Sequence, residues 1–301
     1  MVNALKKTCA LSGLLALSLS AFAGGGTEVV AQKNSHFNVY AEGIWVRATE
    51  NHNYVLTDAA PNPDEVRILQ AQSNLGFTLG AGYTFDNQSD VHLEYFHFNP
   101  RTQDMALIYN NNNLGTIYTR DTYQGVNVDL GQSFHPTEKL TLRAFTGLAW
   151  RSYENQLNGW NENIATQYVA MKNNGKFSGF GPRFGMDGCY HFRPQLALVA
   201  GTALSMPYGQ LKATRHQADN NSDLVGFQLD QLMPEIATRL GLKTSFDMGG
   251  THLALESGVK MVHLFNATTT FDSAESSGAT HDIVHQDVSF WGPYVRLGAQ
   301  F

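Results

Sequence analysis

The sequence predicts an all-β chain: a transmembrane, up-and-down antiparallel β-barrel of about ten strands, within a range of roughly eight to twelve. Three observations lead there. Large apolar residues alternate with small or polar ones through most of the chain. The connectors between alternating stretches are short and long by turns. The first 23 residues read as an export signal, so the rest is built for a compartment outside the cytoplasm.

The signal comes first. Lys6 and Lys7 precede an apolar run from Cys9 to Leu19, and Ala21-Phe22-Ala23 fits a small-residue cleavage site. Cleavage after Ala23 is expected, followed by a short periplasmic segment, 24–35, and a barrel over 36–301. Without Lys6 and Lys7 the chain carries 18 basic and 26 acidic residues, a net of −8, which argues against nucleic acid as a partner. Cys189 then stands alone, so no internal disulfide framework exists.

Ten strands are placed near 36–48, 74–85, 91–98, 121–134, 140–150, 177–190, 196–208, 231–246, 252–265 and 287–301. In the first, Glu42 lies opposite in parity to the apolar residues. The second, Leu75 to Phe85, is the clearest: odd positions are large and apolar, even ones small or polar, over a length that suits a tilted membrane strand. The third carries Glu94, the fourth Asp129, the fifth Arg143, and the sixth Arg183 and Asp187. The seventh is the most apolar stretch after the signal, but Gly201, Thr202 and Ser205 interrupt it well short of a membrane helix. The eighth carries Glu235, Arg239 and Lys243, the ninth Glu256 and Lys260, and the tenth Arg296.

Four connectors are short (86–90, 135–139, 191–195, 247–251) and five are long (49–73, 99–120, 151–176, 209–230, 266–286). Outer-membrane barrels pair short periplasmic turns with long external loops. A water-soluble β-sandwich would also alternate, but its turns would not sort into two lengths. Each strand descending to a short turn ends on an aromatic of apolar parity: Phe85, Phe134, Tyr190, Phe246 and Phe301. Such rings at one depth make an interfacial girdle on the lipid face.

The charged set of opposite parity then faces the lumen. A charge on the lipid face would cost roughly 2–4 kcal/mol at mid-bilayer. Pairing Phe246 with Leu253 would set Lys243 opposite Glu256 and Arg239 opposite Lys260, the second couple needing an acid such as Asp187, Glu235 or Glu256 between them. Glycines on the lumen parity, among them Gly76, Gly80, Gly131 and Gly147, are expected to leave space. Paired charges can line a water-filled constriction or fill a narrow barrel, and the residues alone leave both open.

Chemistry-bearing motifs are thin. No G-x-S-x-G, H-E-x-x-H or phosphate-cradling glycine loop occurs. His281-Asp282 and His285 with Asp287 read as a solvated loop. No enzyme, cofactor or metal is expected. Catalysis would require a carboxylate–His or Ser–His pair meeting at the loop side within roughly 3 Å.

Several stretches carry a family resemblance: "NVYAEGIWVRATE", "LGFTLGAGYTF", "NVDLGQSFHPTEKLTLRAFTGLAW", "MPEIATRLGL" and "FWGPYVRLGAQF", with "FSGFGPRFGMDG" and the E-Y-x-H-F of 94–98 the most distinctive. They resemble the Legionella/Coxiella-type major outer-membrane protein family over the whole chain after the signal. The resemblance implies a porin-like pore for small hydrophilic solutes and ions in the bacterial outer membrane. The runner-up is a closed structural or adhesin-like barrel whose long loops bind a partner. Outer-membrane lipid and lipopolysaccharide are the expected surroundings, and Phe301 resembles the signal read by barrel-assembly machinery. A homo-oligomer is compatible with all this. Family members are often cysteine-rich and cross-linked; with Cys189 alone, disulfide-linked assembly beyond a dimer is not expected.

Overall fold

The computed structural model describes residues 35–50, 71–102, 105–109, 112–161, 171–217, 225–271 and 283–301. The expected signal, 1–23, lies outside them, as do His281 and Asp282.

Ten antiparallel strands close on themselves within the unit Lys33–Phe301. They are β1 His36–Glu50, β2 Asn74–Thr84, β3 Ser89–Phe98, β4 Asn112–Thr137, β5 Leu140–Asn161, β6 Met171–Arg193, β7 Leu196–Ser205, β8 Glu235–Met248, β9 Thr251–Phe271 and β10 Ile283–Gln300. Each pairs with the next, and β10 returns to β1, with Asn38 opposite Gln300 and Glu42 opposite Arg296. Phe37 and Phe301 exchange backbone hydrogen bonds of 3.2 and 2.9 Å at the seam. Closure leaves no unpaired edge in lipid, where an unsatisfied N–H or C=O would cost several kcal/mol.

The short turns stand where the sequence predicts them. One of them is the two-residue turn Gly249-Gly250, whose φ values of 60° and 88° are the left-handed conformations that a hairpin twisting with its strands requires. The strands themselves run further than expected. β4, β5 and β6 extend into the stretches 99–120 and 151–176 that the sequence reading gives to loops. His285, read from sequence as a loop residue, likewise lies on β10. The outer ends of β4 and β5 read Asn-Asn-Leu-Gly-Thr and Gln-Leu-Asn-Gly-Trp, without an apolar parity. A strand standing above the membrane has water on its outer face and needs no alternation.

The expected strand 196–208 is interrupted at Met206-Pro207, and its continuation Tyr208–Gln217 pairs with the outer half of β6. Val225–Leu232 pairs back on that continuation and is interrupted in turn at Met233-Pro234 before β8. Proline lacks the N–H that a sheet ladder uses. Here the residues beside it carry the ladder on: Met206 N donates to Pro182 O at 2.9 Å, Met233 N to Pro207 O at 3.0 Å, and Phe265 N to Pro234 O at 2.9 Å.

The outward wall is apolar. Leu79, Leu93, Leu130, Leu148, Leu198, Leu240, Leu242 and Leu297 all stand exposed on it. Phe85, Phe134, Tyr190, Phe246 and Phe301 ring its turn-side end. A second ring the sequence reading does not anticipate, Trp45, Trp150, Phe180, Tyr208 and Trp291, marks the other end. Ten residue steps separate Trp291 from Phe301 and Phe180 from Tyr190. At about 3.3 Å per residue and a tilt near 40°, they span about 25 Å, the height of an outer-membrane apolar band.

Candidate functional site

The barrel interior is the candidate site, built in two tiers. The tier nearer the turns is a lattice of opposite charges. On β1, Glu42 is 2% exposed and is held from three sides. Arg296 Nη2 lies 2.5 Å from one of its oxygens, Lys260 Nζ 2.8 Å from the other, and Thr78 Oγ1 donates to it at 3.1 Å. The Arg296 guanidinium also stacks 4.2 Å above the Tyr40 ring. Tyr40 Oη donates to Glu94, whose other oxygen accepts from Asn127 Nδ2 at 2.8 Å.

A chain of pairs runs around the wall. Arg143 grips Asp90 with two donors at 2.7 and 2.5 Å and reaches Asp187 at 3.2 Å. Asp187 accepts from Arg239 at 3.1 Å, and Arg239 reaches Glu256 at 3.4 Å. Deeper in, Arg183 faces Asp129 at 3.3 Å, and Arg151 makes a two-pronged pair with Glu235, one prong 3.0 Å long. Arg151 is fully buried. Tyr123 Oη donates to the same Glu235.

All twelve charged residues named from sequence lie on the inward parity. The expected β8–β9 register holds: Phe246 faces Leu253, Lys243 faces Glu256 and Arg239 faces Lys260. The pairing differs from the one that register suggests. Glu256 accepts from Tyr294 Oη at 2.5 Å and from Arg239, while Lys243 makes no ion pair among the described residues. The diagonal neighbour wins because a guanidinium reaches two acids at once. Asp187 and Glu256 thus separate Arg239 from Lys260, which is held by Glu42.

Two members of the lattice, Asp90 and Arg151, are absent from the sequence reading. Both share the parity of a neighbour that was named (Glu94 and Arg143), but each falls one residue outside the expected strand bounds. The lumen glycines also act otherwise than expected. A Cβ on Gly131 would stand 2.5 Å from Arg143 Nε and 2.6 Å from Asp90 Oδ2, so this glycine accommodates a large side chain instead of leaving space.

The loop-side tier is mostly apolar and aromatic, with the Arg151–Glu235 pair and Asp121 buried beside it. Ile44, Val46, Phe96, Phe98, Tyr123, Tyr153, Phe177, Leu211, Leu264, Val288 and Phe290 are buried together. Phe98, Tyr123, Tyr153, Phe177 and Leu211 lie in register from strand to strand. Phe290, on β10, crosses the lumen to stack on Tyr123 of β4, with centroids 5.3 Å apart and planes within 6°. It also meets Phe98 at 6.4 Å and Tyr153 at 6.1 Å. Its chain neighbour is Trp291 of the outer ring, so this layer sits level with the loop-side interface.

Below the layer lies a cavity of about 420 Å³ lined by Asn38, Asp90, His92, Glu94, Asp129, Arg143 and Lys243, among others. Cys189 is half-buried on β6, its Sγ 3.7 Å from His191 Nε2. Among the described residues, no three His, Cys, Asp or Glu side chains gather as a metal site.

A closed ten-strand barrel with an apolar outer wall and an ionic interior matches what the family comparison finds. Residues 29–301 match the model of the Legionella pneumophila major outer membrane protein precursor. The chain belongs to the Legionella major outer membrane protein family. It is an outer-membrane protein. A search of curated proteins gives no match. Among solved structures, this family member is similar to the outer membrane protease OmpT of Escherichia coli at 10% identity, with 92% of this chain and 99% of that chain covered and a TM-score of 0.49. It is also similar to the toluene transporter TodX of P. putida (11% identity, 90% and 91% covered, TM-score 0.34) and to a major outer membrane protein of Thermus thermophilus (11% identity, 89% and 98% covered, TM-score 0.36). At these identities nothing about activity transfers.

Proposed function

We propose that the barrel is a narrow passive pore for ions and small hydrophilic solutes, shut in the described state by its own side chains. The observation that carries this reading is the division of the lumen. A charge-lined vestibule lies on the turn side and ends on the layer around Phe290 and Tyr123. Both parts are made of side chains on the wall strands, and side chains can move without unfolding the barrel. An apolar constriction of this kind gates by excluding water. Mixed charges in the vestibule would let small ions of either sign enter while holding bulky solutes back.

Membership of an outer-membrane family supports the setting, and the lumen itself is proposed to conduct without doing chemistry. The second reading, a closed structural barrel, is favoured by the same layer, in which Phe290 and Tyr123 stack across the lumen.

Planar-bilayer recording on the purified protein decides between them. Wild type is expected to be closed most of the time, with brief small steps, and Phe290→Ala to conduct in longer or larger steps. If neither protein gives steps while both are folded, the pore reading fails and the structural one stands.

A further inference from the structure

On the outer wall, beside the loop-side aromatic ring, three residues meet that neither the lumen nor the lipid belt requires. His263 of β9 and Ser289 of β10 face each other in register. Ser289 Oγ lies 2.7 Å from His263 Nδ1. Asp287, two residues before Ser289 on the same face, places Oδ2 3.7 Å from His263 Nε2. Its other oxygen accepts from the backbone N–H of Asn266 at 2.9 Å, which fixes the carboxylate. The Phe265 ring meets the imidazole edge-on at 4.4 Å.

The backbone here is irregular. The β9–β10 register shifts between Leu264 and Thr268, and Asn266 adopts φ 55°. A bulge and a non-glycine residue at positive φ are features that gather at functional sites, where they re-aim side chains.

We propose that Ser289, His263 and Asp287 form a nucleophilic acyl-ester hydrolase site, and that its substrate is the acyl ester of an outer-leaflet lipid. The chemistry follows from the three contacts. With the proton on Nε2, toward Asp287, His263 Nδ1 is free to accept from Ser289 Oγ. As Oγ bonds to the ester carbonyl carbon, its proton passes to Nδ1. The bond to the alcohol oxygen then breaks, and His263 returns the proton to that oxygen, releasing the alcohol. Water attacks the acyl-serine, one of its protons passes through His263 to Oγ, and a carboxylic acid leaves. Asp287, 3.7 Å from Nε2, is the positioning residue whose charge favours the proton on that nitrogen and balances the transient imidazolium.

Location supplies the substrate class. Trp291 follows Ser289 on the same face and donates from Nε1 to Thr49 Oγ1 at 3.0 Å. Aromatic belts sit at the boundary between headgroups and acyl chains, which is the depth of lipid acyl esters. Arg47, exposed on β1 and opposite Trp291 in register, stands two residues from Thr49, the register partner of Ser289, where a cation would face a lipid phosphate. This site lies on the outer wall, so it stands or falls separately from the pore.

The test uses the full folded protein in detergent micelles and in vesicles, with heat-modifiable migration as the folding control. The probes are a fluorophosphonate, p-nitrophenyl butyrate as a soluble ester, and a fluorogenic phosphatidylcholine. The site predicts a fluorophosphonate adduct mapped by mass spectrometry to Ser289, absent in Ser289→Ala. It predicts ester turnover that falls about 10²- to 10⁴-fold in His263→Ala, the range general-base catalysis commands. Asp287→Asn is expected to lower turnover less and to shift its pH profile. Turnover of the soluble ester alone would overturn the lipid assignment. A folded protein with no adduct on Ser289, and equal rates in wild type and Ser289→Ala, would overturn the site.

Discussion

Arg151 shows most clearly what the interior charges do. It is fully buried, and its partner Glu235 is 2% exposed. Removing one partner of a buried pair strands the other, at about 3–5 kcal/mol. Arg151→Ala is therefore expected to lower stability by that much in urea unfolding, and Arg151→Met with Glu235→Leu to recover a large part of it. Lys243 is the counter-example, half-buried and without an ion pair among the described residues. Lys243→Ala is expected to change stability by less than about 0.5 kcal/mol in the same assay. The difference between these two positions was not legible in the sequence. Parity tells which wall a residue faces, and it put Lys243 and Arg239 correctly inside. Which acid each would find depends on side-chain reach across three or four strands, and no local pattern encodes that.

At the scale of the strand, alternation located all ten barrel strands because each lipid-facing residue must be apolar across about 25 Å of hydrocarbon. Leu240, exposed on the outer wall of β8, tests the rule. Leu240→Arg is expected to cost about 2–4 kcal/mol of folding stability in bilayers, read by reversible refolding into vesicles. The pattern stopped informing where the membrane stops. The outer halves of β4, β5 and β6 carry polar residues on both parities and so looked like loops, and Asp90 and Arg151 were lost at the drawn strand boundaries. The glycines were legible as inward-facing but not in purpose. Gly125, which is not among the glycines named from sequence, likewise lies against the neighbouring strand: a Cβ there would meet Trp150 O at 2.7 Å and Phe96 Cζ at 2.8 Å. Gly125→Val is expected to destabilise by about 1–3 kcal/mol, as overpacking does, visible as a lowered melting temperature of the heat-modifiable form.

The whole molecule is a membrane barrel with two different interiors. Nearer the turns, six cations (Arg143, Arg183, Arg239, Lys243, Lys260, Arg296) meet six anions (Glu42, Asp90, Glu94, Asp129, Asp187, Glu256), so the formal charges of this tier balance, while the Arg151–Glu235 pair sits level with the aromatic layer. Near the loops, the interior resembles the core of a water-soluble protein, with Phe290 and Tyr123 stacked across it. Barrels of about eight strands fill with side chains and those of about sixteen hold open channels; at ten strands, the fill is complete enough for rings from opposite walls to touch. The most direct measurement is single-channel recording of wild type beside Phe290→Ala under identical salt and voltage. Removing the ring that spans the lumen is predicted to turn a mostly closed protein into one with sustained conductance. Steady, large steps in wild type, matched by the variant, would contradict a lumen shut by this layer.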